Sequence, residues 1–178
     1  MVEVMIASVI FSIISIAIMM FAIRQTDFWE ISTTQADLRV EAEQAVNRMA
    51  QELHMASATA AGASATIPTP APNNISISFY LPNDNDNNGT ILDNIGNVEW
   101  GNAPIQFQYN AGTREIQRII GVNQQTLAHD VQALTFENRT LNAALQNNEV
   151  RINLTLQRTT PHQRVVAATA TAIVVLRN

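Results

Sequence analysis

Cysteine and lysine are both absent from this 178-residue sequence. Without cysteine, the chain has no disulfide framework, no thiolate metal site and no cysteine nucleophile. Its ten basic residues are all arginines and stand against fifteen acidic residues, which leaves a formal charge of −5. This balance argues against sequence-independent nucleic-acid binding, which requires many phosphates to be neutralised. Glycine and proline are missing between Val4 and Ala58, so nothing there interrupts a long helix.

The longest apolar run is Val4–Ile23, twenty residues without a charge. At about 1.5 Å per residue it would form a helix of roughly 30 Å, which is enough to cross the hydrocarbon core of a bilayer. A cleaved signal peptide has a shorter apolar stretch of about 7–15 residues, with a basic start and a small-residue cleavage site. We therefore interpret the run as a retained membrane anchor. Only Arg24 adds positive charge before Arg39, which favours export of the C-terminal part.

Glu3 places a carboxylate at the edge of this apolar run. One interpretation is that Glu3 marks the membrane boundary, where a charge costs little. The other is that it pairs with a positive group inside a membrane assembly, because charges within a membrane are expensive and are usually paired. Residue type alone leaves both interpretations open.

The segment Val2–Ser8, VEVMIAS, resembles the mature N-terminus of type IV pilins and of the pseudopilins of type II secretion. In this resemblance Met1 takes the third mature position and Glu3 the fifth, so a leader and two mature residues would precede Met1. The resemblance implies cleavage by a prepilin peptidase, N-methylation of the first mature residue, and pairing of Glu3 with the N-terminal amine of a neighbouring subunit. The proline that bends many major pilins would fall near Met20 and is missing, which favours a minor subunit.

Beyond the anchor, small and apolar residues recur at steps of three or four, which predicts an amphipathic helix to about Ala58. Its polar face includes Arg39 and Glu43, whose i, i+4 spacing predicts an ion pair worth about 0.2–0.5 kcal/mol. The apolar stripe of this helix has to be buried, and we expect the C-terminal region to pack on it. The stripe consists of Ile31, Gln35 as its one polar break, Leu38, Ala42, Ala45, Met49, Leu53 and Ala56.

We divide the chain into an anchor at 1–24, the amphipathic half of the helix at 25–60, a proline-containing linker at 61–74 and a β-region at 75–178. Five or six strands in near-sequential order predict an α+β fold, with the long helix packed on an antiparallel meander. This order resembles J-type minor pseudopilins and PilW-like minor pilins. Alternating residues predict the strands at Ile75–Leu81, as a hairpin within Pro104–Ile120, and at Val131–Glu137, Glu149–Arg158 and Val165–Arg177.

The loop that begins at Asp84 reads DNDNNGTI and matches the first half of an EF-hand-type calcium loop. Oxygen ligands at Asp84, Asp86 and Asn88 would converge on one point, and the following glycine permits the sharp turn. The twelfth position is isoleucine, so the usual bidentate glutamate is missing, and Asp93 is the candidate substitute. The pattern predicts a weak structural calcium site, with a dissociation constant of roughly 10⁻⁴–10⁻³ M. The alternative is a solvated polar loop, because Asn and Asp favour turns.

No catalytic motif is recognisable, and the three histidines form no short-spaced ligand pair, so we expect no enzymatic activity. The sequence therefore predicts a minor pilin or pseudopilin, a structural subunit that helps initiate or cap a pilus or a secretion pseudopilus. Its expected partners are other pilin or pseudopilin subunits, the prepilin peptidase and the bacterial inner membrane. We expect a single-pass protein with its C-terminal region in the periplasm or outside, and later a place at the filament tip. The alternative is a signal-anchored envelope binding module that does not polymerise.

Overall fold

The computed structural model describes residues 2–58 and 68–176. Its first element, α1, is a helix at Val2–His54 of 53 residues, about 80 Å long at 1.5 Å per residue. The helix ends before Ala58, its predicted end, because Ser57 pairs with the backbone of Tyr80 instead. The two bonds of this bridge are Ser57 N to Tyr80 O at 2.9 Å and Tyr80 N to Ser57 O at 2.7 Å.

Within residues 68–176 the chain forms two antiparallel sheets. The first sheet has the strand order β1-β2-β3-β4, and the second has the order β5-β6-β7. Within each sheet, every strand pairs with its neighbours in sequence, as in a meander. The strands are β1 at Ser76–Phe79, β2 at Ile105–Asn110, β3 at Glu115–Ile120, β4 at Asn123–Ala128, β5 at Val131–Glu137, β6 at Glu149–Thr159 and β7 at Val165–Val175.

One hydrophobic core joins the second half of α1 to both sheets. α1 packs chiefly on β7 and β6 and also contacts β4. Within the first sheet, the rings of Phe79 on β1 and Phe107 on β2 lie 5.0 Å apart at an angle of 51°. Strand β6 alternates buried and half-buried residues, so one face of the second sheet lies on the helix. The buried helix residues are Leu38, Ala42, Ala45, Val46, Met49 and Leu53.

The predicted α+β arrangement of a long N-terminal helix on antiparallel strands is confirmed. The count of five or six strands in one meander is wrong, because the described residues 68–176 form seven strands in two sheets. The strand that the sequence pattern missed is β4, whose residues NQQTLA are mostly polar and exposed. Backbone pairing with β3 defines β4, and the register runs from Ile120↔Asn123 to Ile116↔Ala128. The side chains of β4 show no alternation that would indicate this pairing.

The predicted linker at 61–74 lies partly outside the described residues, which resume at Pro68. At its end, Pro70 forms an isolated bridge with Ile77 of β1. Asn74 has a positive φ of 59°, and its carbonyl accepts a hydrogen bond of 2.8 Å from Phe136 N on β5. This part of the predicted linker therefore lies against both sheets.

Candidate functional site

The first half of α1 is exposed over its whole apolar length. Every described residue from 2 to 26 is exposed, including large side chains such as Phe11 and Ile14. The serines do not break the helix, because Ser8 Oγ donates to Met5 O and Ser12 Oγ to Ser8 O, each at 2.8 Å. Among the described residues, α1 is the one helix long and apolar enough to cross a membrane. A single helix thus combines a bare apolar half with a half that belongs to the core.

Glu3 lies in the first turn of α1 and is exposed. A carboxylate at this end is favoured by the helix dipole, which is positive at the N-terminus. The first basic residue after it is Arg24, which at 1.5 Å per residue is about 30 Å further along the helix. Within residues 2–58 and 68–176, no ion pair includes Glu3. A cation that neutralises Glu3 in an apolar assembly would therefore come from outside this described part of the chain.

The second half of α1 is fastened to the first sheet by a partly buried ion pair. Arg118 Nε on β3 lies 2.8 Å from Glu52 Oε2, and the two side chains are only 18% and 19% exposed. The sequence did not predict this pair, since its residues are far apart in the chain. It predicted the pair between Arg39 and Glu43, which is confirmed at 2.9 Å but lies in solvent.

A second contact fastens the helix to the second sheet. Arg158 Nε on β6 donates to Asp130 Oδ2 at 2.6 Å, and Arg158 Nη2 donates to Glu41 Oε2 at 3.2 Å. The hydrogen bond to Asp130, helped by the charges of Asp130 and Glu41, raises the pKa of Arg158 above its usual range. The two contacts leave the position of the β-region on the helix well defined, so that only the apolar half extends from it.

The predicted calcium loop brings together three carboxylates. Oxygens of Asp84, Asp86 and Glu99 lie within 4.8 Å of one another. Asp84 Oδ2 accepts from Gly89 N at 2.8 Å, and Gly89 adopts a φ of 84° that a residue with a side chain would rarely take. The loop closes because Pro82 pairs with Trp100 in an isolated bridge. Carboxylate oxygens in this number suit a hard divalent cation.

Of the other two predicted ligands, Asn88 hydrogen-bonds to these carboxylates and Asp93 lies apart from them. Asn88 N donates to Asp84 Oδ1 at 3.1 Å, and Asn88 Nδ2 donates to Asp86 Oδ2 at 2.8 Å. Asn88 lies inside the loop, but its Oδ1 accepts from Thr90 N at 2.8 Å and from Thr90 Oγ1 at 2.7 Å. Asp93 belongs to a separate turn, where its Oδ1 accepts from Asn97 N at 2.8 Å. That backbone hydrogen bond is the main reason why the pKa of Asp93 lies below its usual range. The third carboxylate of this cluster is therefore Glu99, which lies beyond the twelve positions of the calcium-loop pattern.

The three histidines, which the sequence left without a role, each have a partner. His54 Nδ1 lies 2.7 Å from Val175 O at the end of β7. His129 Nδ1 lies 3.1 Å from Glu115 Oε1. His162, in the turn between β6 and β7, lies beside two carboxylates of α1. The spacing in sequence could not have shown that last contact, because it joins positions more than a hundred residues apart.

No protein-family model, no curated protein and no solved structure matches this chain. Its function has to be inferred from the exposed half of α1, from Glu3 and from the acidic loop.

Proposed function

We propose that this protein is a minor pilin or pseudopilin, a membrane-anchored subunit that helps initiate or cap a filament. The observation that carries the proposal is the division of one continuous helix. Residues 2–26 are exposed and contain the apolar run Val4–Ile23, whereas Leu38 to Leu53 supply buried residues to the core. In a soluble protein, other elements would have to pack on the apolar first part of the helix. A plain signal sequence would not continue for a further thirty residues, about eight turns at 3.6 residues per turn, into the core of the same protein.

The exposed half is suited first to a membrane and then to a helical bundle. In the bilayer its side chains contact lipid, and the helix satisfies all of its own backbone groups. In a filament the same side chains would contact equivalent helices of other subunits. Because lipid and leucine-like side chains are similarly apolar, the transfer depends on packing and on specific polar contacts, not on escape from water. Glu3 is the carboxylate that this part of α1 offers for such a polar contact.

In this proposal Glu3 fixes the axial position of each subunit relative to its neighbours in the filament. A carboxylate buried among apolar helices without a partner costs several kcal/mol, since its hydration is lost. A positive group on a neighbouring subunit, such as its N-terminal amine, removes that cost at one axial position only. The β-region then lies outside the helical bundle, because it is held to the second half of α1 by the core and by the contacts of Arg118 and Arg158.

The subunit would reside in the bacterial inner membrane with the β-region on the far side, and later at the filament tip. The prepilin peptidase and other pilin or pseudopilin subunits would be its partners. The acidic loop would add a structural calcium site on the surface of the β-region. A signal-anchored module that never polymerises would use the same helix, but it would have no need of Glu3.

The deciding experiment is the substitution Glu3→Gln, expressed at the native level in the native host. It removes the charge and keeps the size, so membrane insertion should be unchanged while recovery of the protein in sheared or secreted filaments is lost. Glu43→Gln is the matched control, because Glu43 lies on the same helix but is exposed outside the apolar half. Normal filament recovery with Glu3→Gln would contradict the proposal and favour the non-polymerising module.

A further inference from the structure

A mixed cluster of nitrogen and oxygen ligands lies where α1 leaves its apolar half. Asp27 and Glu30 lie on the helix just after the apolar run, and His162 lies in the turn between β6 and β7. His162 Nδ1 is 2.5 Å from Glu30 Oε2 and 3.6 Å from Asp27 Oδ1. One ligand atom from each of the three residues falls within 4.8 Å of the other two.

Each side of this cluster is held in place by local structure. Asp27 and Glu30 are three residues apart, so their side chains project from the same face of the helix. The opposing turn is closed by Thr160 N to Arg164 O and by Gln163 N to Thr160 O, each at 2.8 Å. Asp27 and Glu30 are half-buried, and His162 is 57% exposed. A small ion can therefore reach the cluster from solvent without any movement of the backbone.

We propose that Asp27, Glu30 and His162 bind a divalent transition-metal ion of the Zn²⁺ type, which fastens the β6–β7 turn to the helix. Zn²⁺ bonds to imidazole nitrogen and carboxylate oxygen at about 2.0–2.2 Å, so two ligands in a tetrahedral site lie about 3.4 Å apart. The separation of 3.6 Å between His162 Nδ1 and Asp27 Oδ1 is close to that value. The contact of 2.5 Å to Glu30 is a hydrogen bond. The metal would displace its proton, and a rotation of the exposed His162 side chain would separate the two atoms to about 3.4 Å.

The donor set also determines which metal should bind. Imidazole suits zinc and its transition-metal neighbours, whereas Ca²⁺ and Mg²⁺ prefer sites made of oxygen alone. The acidic loop of Asp84, Asp86 and Glu99 is such an all-oxygen site, so the two clusters should differ in selectivity. Two carboxylates neutralise the charge of a divalent ion when the imidazole is neutral. The exposed side of His162 leaves room for water as a fourth ligand, as Zn²⁺ requires.

The competing explanation is that the three side chains form a hydrogen-bonded ion cluster and no more. In that case the proton between His162 and Glu30 is the whole of the interaction. Metal titration separates the two explanations, because only a built site gives saturable binding that depends on all three side chains.

The test uses the full chain in detergent micelles, stripped with a chelator and titrated with Zn²⁺ by calorimetry. We expect one ion per chain, and a dissociation constant at least about tenfold weaker in His162→Gln, the scale on which metal-site substitutions act. Asp27→Asn should weaken binding in the same direction. The matched control is His129→Gln, since His129 is an exposed histidine whose ring pairs with the carboxylate of Glu115. Its affinity should equal that of the wild type.

Two results would overturn the proposal. The first is the absence of saturable Zn²⁺ binding by the wild-type chain. The second is binding that His162→Gln leaves unchanged, which would place the ion elsewhere. A further check is competition by Ca²⁺: an excess of about a hundredfold should leave the Zn²⁺ affinity unaltered, because an imidazole site discriminates against hard cations. Displacement of Zn²⁺ by Ca²⁺ would contradict the assignment of these ligands.

Discussion

The two halves of α1 should differ in how much an alanine substitution lowers the stability of the β-region. Leu38 is fully buried in the core, whereas Ile14 is 51% exposed in the apolar half. Leu38→Ala removes methyl groups that the core cannot easily replace, and such changes cost about 2–5 kcal/mol. Ile14→Ala removes comparable atoms from an exposed position of the apolar half, so it should leave the stability of the β-region unchanged.

Hydrogen exchange of the β6 amides measures this difference directly. Ile152, Leu154 and Leu156 of β6 are fully buried, and their amides exchange only when the core opens. A loss of about 2–5 kcal/mol corresponds to exchange that is faster by about 30-fold to 4,000-fold, since each 1.4 kcal/mol is a factor of ten. The measurement is made on the full chain in detergent micelles at a fixed pH.

Two outcomes would refute the division of the helix. Unchanged exchange of the β6 amides in Leu38→Ala would mean that the second half of α1 is not part of their cooperative core. Equal acceleration by Ile14→Ala would mean that the first half is packed on the β-region. Leu38→Met serves as a control for the site, because it conserves volume and should cost less than about 1.5 kcal/mol.

Three further predictions concern charged side chains of the β-region and helix. Arg118→Ala should destabilise the protein by about 1–3 kcal/mol in urea titration, since it leaves the half-buried carboxylate of Glu52 unpaired. Arg39→Ala removes a partner from an exposed ion pair and should cost no more than about 0.5 kcal/mol. Equal losses of stability in the two variants would contradict this prediction. In the metal-free chain, the hydrogen bond that the His162 imidazolium donates to Glu30 raises the pKa of His162 above 6.5. The stability it adds should be complete below pH 6.5 and be lost as the pH rises through the folded pKa, whereas an NMR titration midpoint at or below 6.5 would be inconsistent with this. Calcium at about 10⁻³ M should raise the melting temperature, and Asp84→Asn should abolish the shift; a wild-type chain that does not respond would rule out the loop as a calcium site.

The helix and most strands were predictable because their signals are local. The stripe from Leu38 to Leu53 repeats at helical spacing, and all of its members at those positions are buried. The hairpin of β2 and β3 and the long strands β6 and β7 alternate clearly in sequence. Strand β4 has no such alternation, since it is held by backbone pairing with β3 and presents polar side chains to solvent. The division into two sheets depends on pairings that no local pattern encodes.

The candidate sites were predictable only where their residues are close in sequence. The calcium-loop pattern identified Asp84 and Asp86, which do lie together. It missed Glu99, because Glu99 approaches through the bridge that closes the loop and not through the twelve-residue spacing of the pattern. The cluster of Glu30 and His162 joins two elements at opposite ends of the chain. Such a contact exists only after the β6–β7 turn has packed beside the helix.

The most direct test of the proposed subunit role is the N-terminal mass of the protein purified from the membranes of its native host. We predict a mature chain that begins two residues before Met1 with an N-methylated aromatic residue, so that Glu3 occupies the fifth position. This result would establish processing by a prepilin peptidase. A native chain that begins at an unmodified Met1 would contradict the account and would favour the anchored module that does not polymerise.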